Sequence, residues 1–157
     1  MIRPMRRSDK AAVLKIIGDT EMFTAPEIDV AEELVNIYLD MPDQKDYRVV
    51  VVENDRGAIA GYMTWGPTAL AENVYDLYWM AVAPGEQGRG LGKALVRWLE
   101  TEVLKAGGRM VLIETSSQPR YEPTRQFYLR LDYREVARVP DFYKPGDDRI
   151  IYAKSFR

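Results

Sequence analysis

From residue 87 to residue 92 the chain reads Gln87-Gly88-Arg89-Gly90-Leu91-Gly92, with a glycine at every second position. Before it stands an apolar, aromatic run from Val74 to Ala83, stopped by Pro84-Gly85. After it, Leu91, Leu95, Trp98, Leu99 and Val103 recur at helical spacing until Gly107-Gly108. A strand that turns through glycines into a helix leaves the first helical N–H groups without carbonyl partners. The positive end of the helix dipole lies there too, and glycine lets an anion approach closely. The next apolar run, Met110 to Thr115, predicts a second strand parallel to the first across a right-handed crossover.

Two phosphate-binding loops do not fit. A Walker A loop requires glycine where Gln87 stands and Ser or Thr where Ala94 stands. A dinucleotide fingerprint requires its third glycine at Lys93, and it follows the first strand of a domain. A tight turn that binds nothing is the remaining reading from the loop alone.

The rest of the chain predicts the frame around this unit. Ile2-Arg3 reads as a short strand, and Ser8-Asp9 as the N-cap of a helix with Val13, Ile16 and Ile17 on its buried stripe. A second helix opens at Pro26-Glu27, with Ile28, Leu34, Val35, Tyr38 and Leu39 facing inward. Arg48–Glu53 and Ala58–Trp65 form a hairpin about Asn54-Asp55-Arg56-Gly57. Pro123–Leu131 is helical, and Arg134–Val139 pairs with Asp148–Phe156 across Lys144-Pro145-Gly146-Asp147. The order β-α-α-β-β-β-α-β-α-β-β implies an α/β fold, a mixed sheet of about seven strands with helices on both faces. No linker or repeat divides residues 1–157, which read as a single domain.

Composition narrows the chemistry. The chain of 157 residues contains no cysteine and no histidine. Disulfides, thiolate or imidazole metal sites and Ser-His or Cys-His nucleophile pairs are therefore excluded. Proton transfer falls to Asp, Glu, Tyr, Lys, a terminus or water. A net charge of −2 argues against a nucleic-acid partner held by positive charge. No apolar stretch is long enough to span a bilayer, and Lys15 interrupts the one run that could imitate a signal peptide. The expectation is a soluble, cytoplasmic protein.

The pattern Gln-x-x-Gly-x-Gly after Val82-Ala83-Pro84, together with length, element order and a later Phe127-Tyr128 on a helix, resembles the GNAT superfamily of N-acetyltransferases. The resemblance covers almost the whole chain. It implies splayed central parallel strands with the pantetheine arm of acetyl-CoA in the gap. It also implies pyrophosphate binding by the amides of Gln87, Gly88, Arg89, Gly90, Leu91 and Gly92, with Lys93 and Arg89 adding charge. Met80, Ala81 and Val82 would contact pantetheine, and the Met80 N–H would polarise the thioester carbonyl.

The same resemblance makes Tyr128 the acid for the departing thiolate, since a phenol near pKa 10 is a donor at neutral pH. For the base it points to Asp76, eleven residues before Gln87 on the preceding strand. Glu114 is a second candidate, Glu72 a weaker one, and a water relay a third route. Asp147-Asp148 reads as a solvated turn rather than a substrate clamp. Two positions depart from the family pattern: Tyr121 stands where an asparagine often touches the cofactor, and Asp132 replaces a glycine after the helix. Tyr75, Tyr78, Trp79 and Tyr143, with the carboxylates, suit a cationic amine acceptor, either a small molecule or a protein N-terminus. Strand alternation puts Tyr78 on one face with Asp76 and Met80. Without cysteine no acyl-thiol of the enzyme can form, so the implied route is direct attack in a ternary complex. The alternative is a non-catalytic acyl-CoA-binding module. Monomer and homodimer both remain open.

Overall fold

The apolar runs become strands and the helically spaced runs become helices close to the expected bounds. In the computed structural model, which describes residues 1–156, the strands are β1 (Ile2–Pro4), β2 (Arg48–Glu53), β3 (Ile59–Pro67), β4 (Val74–Val82), β5 (Met110–Ser116), β6 (Arg134–Lys144) and β7 (Asp147–Ser155). The helices are α1 (Lys10–Asp19), α2 (Ala25–Asp40), α3 (Leu91–Lys105) and α4 (Glu122–Arg130). The strands share one sheet in the order β1-β2-β3-β4-β5-β7-β6. β4 and β5 run parallel, and the other neighbours run antiparallel. α3 and α4 cover one face over Leu77, Leu95, Leu99, Val111, Ile113 and Tyr152. α1 and α2 cover the other over Ile17, Val35, Val49, Val51 and Tyr62. No helix among the described residues is long and apolar enough to cross a membrane.

Local chemistry explains the element ends. The Asn54 side-chain oxygen accepts from the N–H groups of Arg56 (2.9 Å) and Ala58 (3.0 Å), which forms the turn of the β2–β3 hairpin. α2 starts slightly earlier than Pro26-Glu27 suggests. Thr24 and Glu27 form a reciprocal capping box, with Glu27 N–H on Thr24 Oγ1 and Thr24 N–H on the Glu27 carboxylate. The expected cap of α1 is not made. Asp9 instead accepts from Arg6 N–H at 2.8 Å and from the Arg3 guanidinium at 2.8 and 3.0 Å. A charge-assisted bidentate bond outcompetes a helix cap here. Arg3, which also reaches Glu53, holds the Asp9 carboxyl below its ordinary range. β6 is longer than expected, extending through Tyr143 to the turn at Lys144.

A second charged cluster fixes the helical layer over α3. Glu100 is buried and accepts from Arg97 (2.9 Å), Tyr133 Oη (2.9 Å) and Lys154 Nζ (3.1 Å). Lys154 also donates to the Leu131 carbonyl at 3.1 Å, so three segments meet at one saturated carboxylate.

The end of α4 explains the missing glycine. Tyr133 N–H bonds the Tyr128 carbonyl and Asp132 N–H bonds the Leu129 carbonyl, both at 3.1 Å, with Asp132 at φ 71°. This is a Schellman closure with aspartate in the left-handed position that glycine favours. Asp132→Gly is expected to stabilise the fold by about 0.5–1 kcal/mol. Thermal unfolding would register a rise in Tm of roughly 1–4 °C; a lowered Tm would mean that the aspartate side chain stabilises this turn.

Candidate active site

β4 and β5 pair only from Val74 to Leu77 and from Met110 to Ile113. Beyond those residues both strands continue, without each other, to Val82 and Ser116. The cause lies on the opposite edge of β4. Thr64 of β3 pairs with Trp79 and Trp65 pairs with Leu77, so Tyr78 is an extra residue in the strand. Such a bulge bends and twists the strand that carries it.

The bulge also reverses the alternation of side chains. Tyr75 and Leu77 pack on the α3 face, and so do Met80 and Val82, whereas Trp79 and Ala81 pack on the α1–α2 face. The expected sharing of one face by Asp76 and Met80 is therefore wrong, because strict period-2 counting fails across a bulge. Tyr75 is likewise a core residue beside Trp65 rather than part of a substrate rim.

Backbone alternation identifies what the unpaired edge offers. Ala83 N–H donates to the Ala60 carbonyl of the β3 side at 2.8 Å. In an antiparallel ladder Ala81 then also turns toward β3, and the N–H and C=O groups of Met80 and Val82 turn toward the gap. Gln87 Nε2 meets the Val82 carbonyl from that side at 3.2 Å and ties the glycine loop to the strand end.

Gly90, at φ 82° and ψ 8°, is the N-cap of α3 and carries no side-chain cap. Ala94 N–H is the first to bond back, to the Gly90 carbonyl, which leaves the amides of Leu91, Gly92 and Lys93 for a ligand. Gly88 is also left-handed, at φ 79°, and a Cβ on either glycine would meet no protein atom. Their requirement is conformational, and the space above them is open. Gly92 differs: a Cβ there would touch the Phe127 ring at 3.4 Å, an ordinary packing contact, so neither its backbone nor its space demands glycine in the ligand-free protein. Lys93 is exposed, and Arg89 pairs with Glu86 at 3.4 Å.

The gap opens into a cleft of ≈ 970 Å³ that runs through the sheet. Met80, Ala81, Val82, Gln87, Glu114 and Tyr128 line it, while Gly88 to Lys93 lie at the exposed helix start outside its enclosed part. Tyr128 is 4% exposed, edge-on to Phe127 and Tyr133, with its hydroxyl free of protein partners among the described residues. Burial pushes its phenol well above the ordinary range.

The two base candidates sit differently. Glu114 lies in the cleft wall, ion-paired with Arg149. Asp76 is half-buried behind it, outside the cleft lining, and accepts from Thr68 Oγ1 at 2.8 Å. Burial raises the Asp76 carboxyl, and the nearby Glu114 charge raises it further, against the Thr68 hydrogen bond. Glu72 is exposed and contributes its backbone carbonyl to Arg109 rather than a carboxylate to the cleft.

Three features escaped the sequence reading. The bulge at Tyr78 has no composition signal. Asp147 is not a solvated turn residue: it is buried, faces the cleft and accepts from Ser116 Oγ. Tyr121, at the departure from the asparagine pattern, donates to the Met22 carbonyl at 3.0 Å. That bond ties the α1–α2 loop to the segment before α4 across the open end of the cleft. The substituted position was visible in the sequence; its partner, 99 residues away, was not.

Comparison with known proteins matches this arrangement to one family. The GNAT acetyltransferase domain matches residues 45–135. A crystal structure from Desulfovibrio desulfuricans, assigned to the GNAT family, is 40% identical with a TM-score of 0.92, over 99% of this chain and 98% of that one. An uncharacterized N-acetyltransferase of Methanocaldococcus jannaschii is 29% identical over 62% of this chain, and the match spans 58% of that relative's length. An aminoglycoside 6'-N-acetyltransferase crystallised with coenzyme A shares the fold, with a TM-score of 0.74 at 19% identity over 99% of this chain and 96% of that one. The chain belongs to the GNAT acetyltransferase family.

Proposed function

We propose that this protein is an acetyl-CoA-dependent N-acetyltransferase in which an amine attacks the thioester directly. The observation that carries the reading is the unpaired edge of β4, with the Met80 and Val82 backbone groups facing the gap and the strand leading into the bare N-terminus of α3. An extended pantetheine arm completes such an edge as an added strand. Its pyrophosphate then meets the amides from Gln87 to Gly92, with Lys93 and the helix dipole opposing its charge. The fold neighbour that binds coenzyme A supports the same donor.

With the arm in that register, Met80 N–H donates to the thioester oxygen, where negative charge builds as the amine nitrogen attacks. The new C–N bond forms and the C–S bond breaks. The amine's proton passes to the Asp76–Glu114 pair, through Glu114 or a water at its cleft surface. Tyr128, kept protonated by burial, donates to the departing thiolate. Nothing here calls for a covalent acyl-enzyme, and the cysteine-free sequence offers no thiol for one.

Gly90→Asp is expected to abolish acetyl-CoA binding, because it sets bulk and negative charge over the free amides. Titration calorimetry should show at least a 100-fold loss; unchanged affinity would mean that the loop does not hold the pyrophosphate. Tyr128→Phe is expected to lower kcat by about 100-fold or more with KM for acetyl-CoA unchanged, read as coenzyme A thiol release. Full activity in that variant would remove Tyr128 from the chemistry.

The carboxylate pair gives a pH signature. The base must be ionised, so the rate falls as pH drops through the raised Asp76 pKa, above the ordinary value of 3.8. Glu114→Gln removes a neighbouring negative charge, which lowers the Asp76 pKa and moves the acidic limb to lower pH. Asp76→Asn removes the inflection that belongs to Asp76 and leaves the gradual fall caused by protonation of the acceptor amine. An unmoved limb in both variants would assign the base elsewhere.

A further inference from the structure

The open edge of β4 has a counterpart on β5, and the fold treats the two differently. Ser117 N–H donates to the Asp148 carbonyl and Phe156 N–H to the Arg109 carbonyl, both at 3.0 Å. Alternation along the ladder then turns the backbone groups of Thr115 toward β7 and those of Glu114 and Ser116 toward the gap. An uninterrupted parallel ladder would give the Ser116 carbonyl a partner on β4. Here Arg125 takes it. Its Nη1 donates to the Ser116 carbonyl at 2.7 Å and to the Gln118 carbonyl at 2.9 Å, and its Nη2 to the Glu122 carboxylate at 2.7 Å. The Arg125 side chain is only 12% exposed.

Arg125 stands in the first half of α4, a helix of 9 residues that is too short to hold its place unaided. The far end is fixed, because Lys154 joins the Leu131 carbonyl to buried Glu100. The near end has no side-chain cap. Tyr121, just before it, is tied to the α1–α2 loop rather than to the sheet. Gln118 N–H bonds Ser116 Oγ at 3.1 Å, so the chain between them is already turned, and the Arg125 fork fastens that turn to the helix. Tyr128 lies one turn further on, on the same side of α4, buried and lining the cleft. The guanidinium therefore sets the distance between the free end of β5 and the tyrosine.

Resting on the acetyl-transfer reading, we propose that Arg125 is a positioning residue for Tyr128. It occupies the carbonyl that β5 would otherwise offer to β4, and it holds α4 so that the phenol meets the gap. Arg125 acts from behind the site: it does not line the cleft, and its donors are turned to the two carbonyls and Glu122. Lysine is no equivalent, because a single ammonium cannot span two carbonyls and a carboxylate as the planar fork does.

The test uses the whole protein with Arg125→Ala, Arg125→Lys, Tyr128→Phe and the double variant Arg125→Ala/Tyr128→Phe, each well below its unfolding temperature. One readout is kcat and KM from coenzyme A release. The other is the Tyr128 resonance in protein carrying tyrosine isotope-labelled at Cζ, assigned by its loss in Tyr128→Phe. Arg125→Ala should lower kcat by about 10- to 100-fold, the scale of a misplaced catalytic group, with KM for acetyl-CoA unchanged. Its Tyr128 resonance should move, and millimolar guanidinium should return the resonance and part of kcat. The double variant should be no slower than Tyr128→Phe and should not respond to guanidinium. Arg125→Lys should lose less of kcat, and it carries the test if the alanine variant does not fold. An unmoved resonance in the folded variants would overturn the inference whatever the rate, as would a loss in the double variant equal to the product of the single ones. A moved resonance in a protein that turns over no amine would uphold the Arg125 bracket and overturn acetyl transfer.

Discussion

Tyr78 has no partner residue on β3, and much of the site depends on that one extra residue. An uninterrupted β4 would keep its pairing with β5 past Leu77 and Ile113, and the sheet would be closed. With the bulge the two parallel strands separate, and a protein with a buried sheet acquires a backbone edge in its middle. Edges normally sit at the rim of a sheet, where they invite unwanted pairing. Here the edge is internal, flanked by both helical layers, and reachable only by something as thin as an extended chain. The same bulge reverses side-chain alternation, so Met80 and Val82 face α3 while Trp79 and Ala81 face α1 and α2. One backbone irregularity thus sends neighbouring side chains of the same strand into opposite helical layers.

Two buried acids show how differently the fold treats charge. Glu100 receives Arg97, Tyr133 and Lys154 and is saturated. Removing any partner would strand a charge in the interior, so the cluster braces α3 against the end of α4 and β7. Asp147 has Ser116 alone and an open cleft before it. A protein that satisfies the first acid so fully has the means to satisfy the second. The second acid instead faces the cleft that the separated strands open.

The frame was legible because it rests on patterns that a sequence carries openly. Period-2 and helical spacing, the Asn54–Gly57 turn and the glycine loop are local, and apart from the longer β6 the elements lie within a residue or two of where those patterns put them. The errors share a different origin. Asp9 was read as a cap, and Arg3, which claims it, makes its pairing through the fold of β1 against α1. The face assigned to Asp76 followed from counting through a bulge that only pairing with β3 reveals. Asp147 looked like a turn residue because turns are usually wet; its burial depends on Ser116, 31 residues earlier in the chain. Local chemistry specified the elements, whereas the site depends on long-range pairings whose partners carry no mark of one another.

In the proposed mechanism, the absence of histidine and cysteine makes the environment of Tyr128 decisive. A phenol raised by burial is a reluctant acid, and against a thiolate in water, near pKa 8.5, transfer would run uphill. The comparison in water is the wrong one. A thiolate leaving beside the buried phenol would be raised by the same desolvation. The two groups shift together, and the proton remains nearly matched between them while both are held. Phe127 and Tyr133, packed edge-on against Tyr128, are part of what buries it. Admitting water would lower both groups and leave the thiolate free to depart unprotonated. On that proposal, packing around the tyrosine would control the proton as well as contribute to stability.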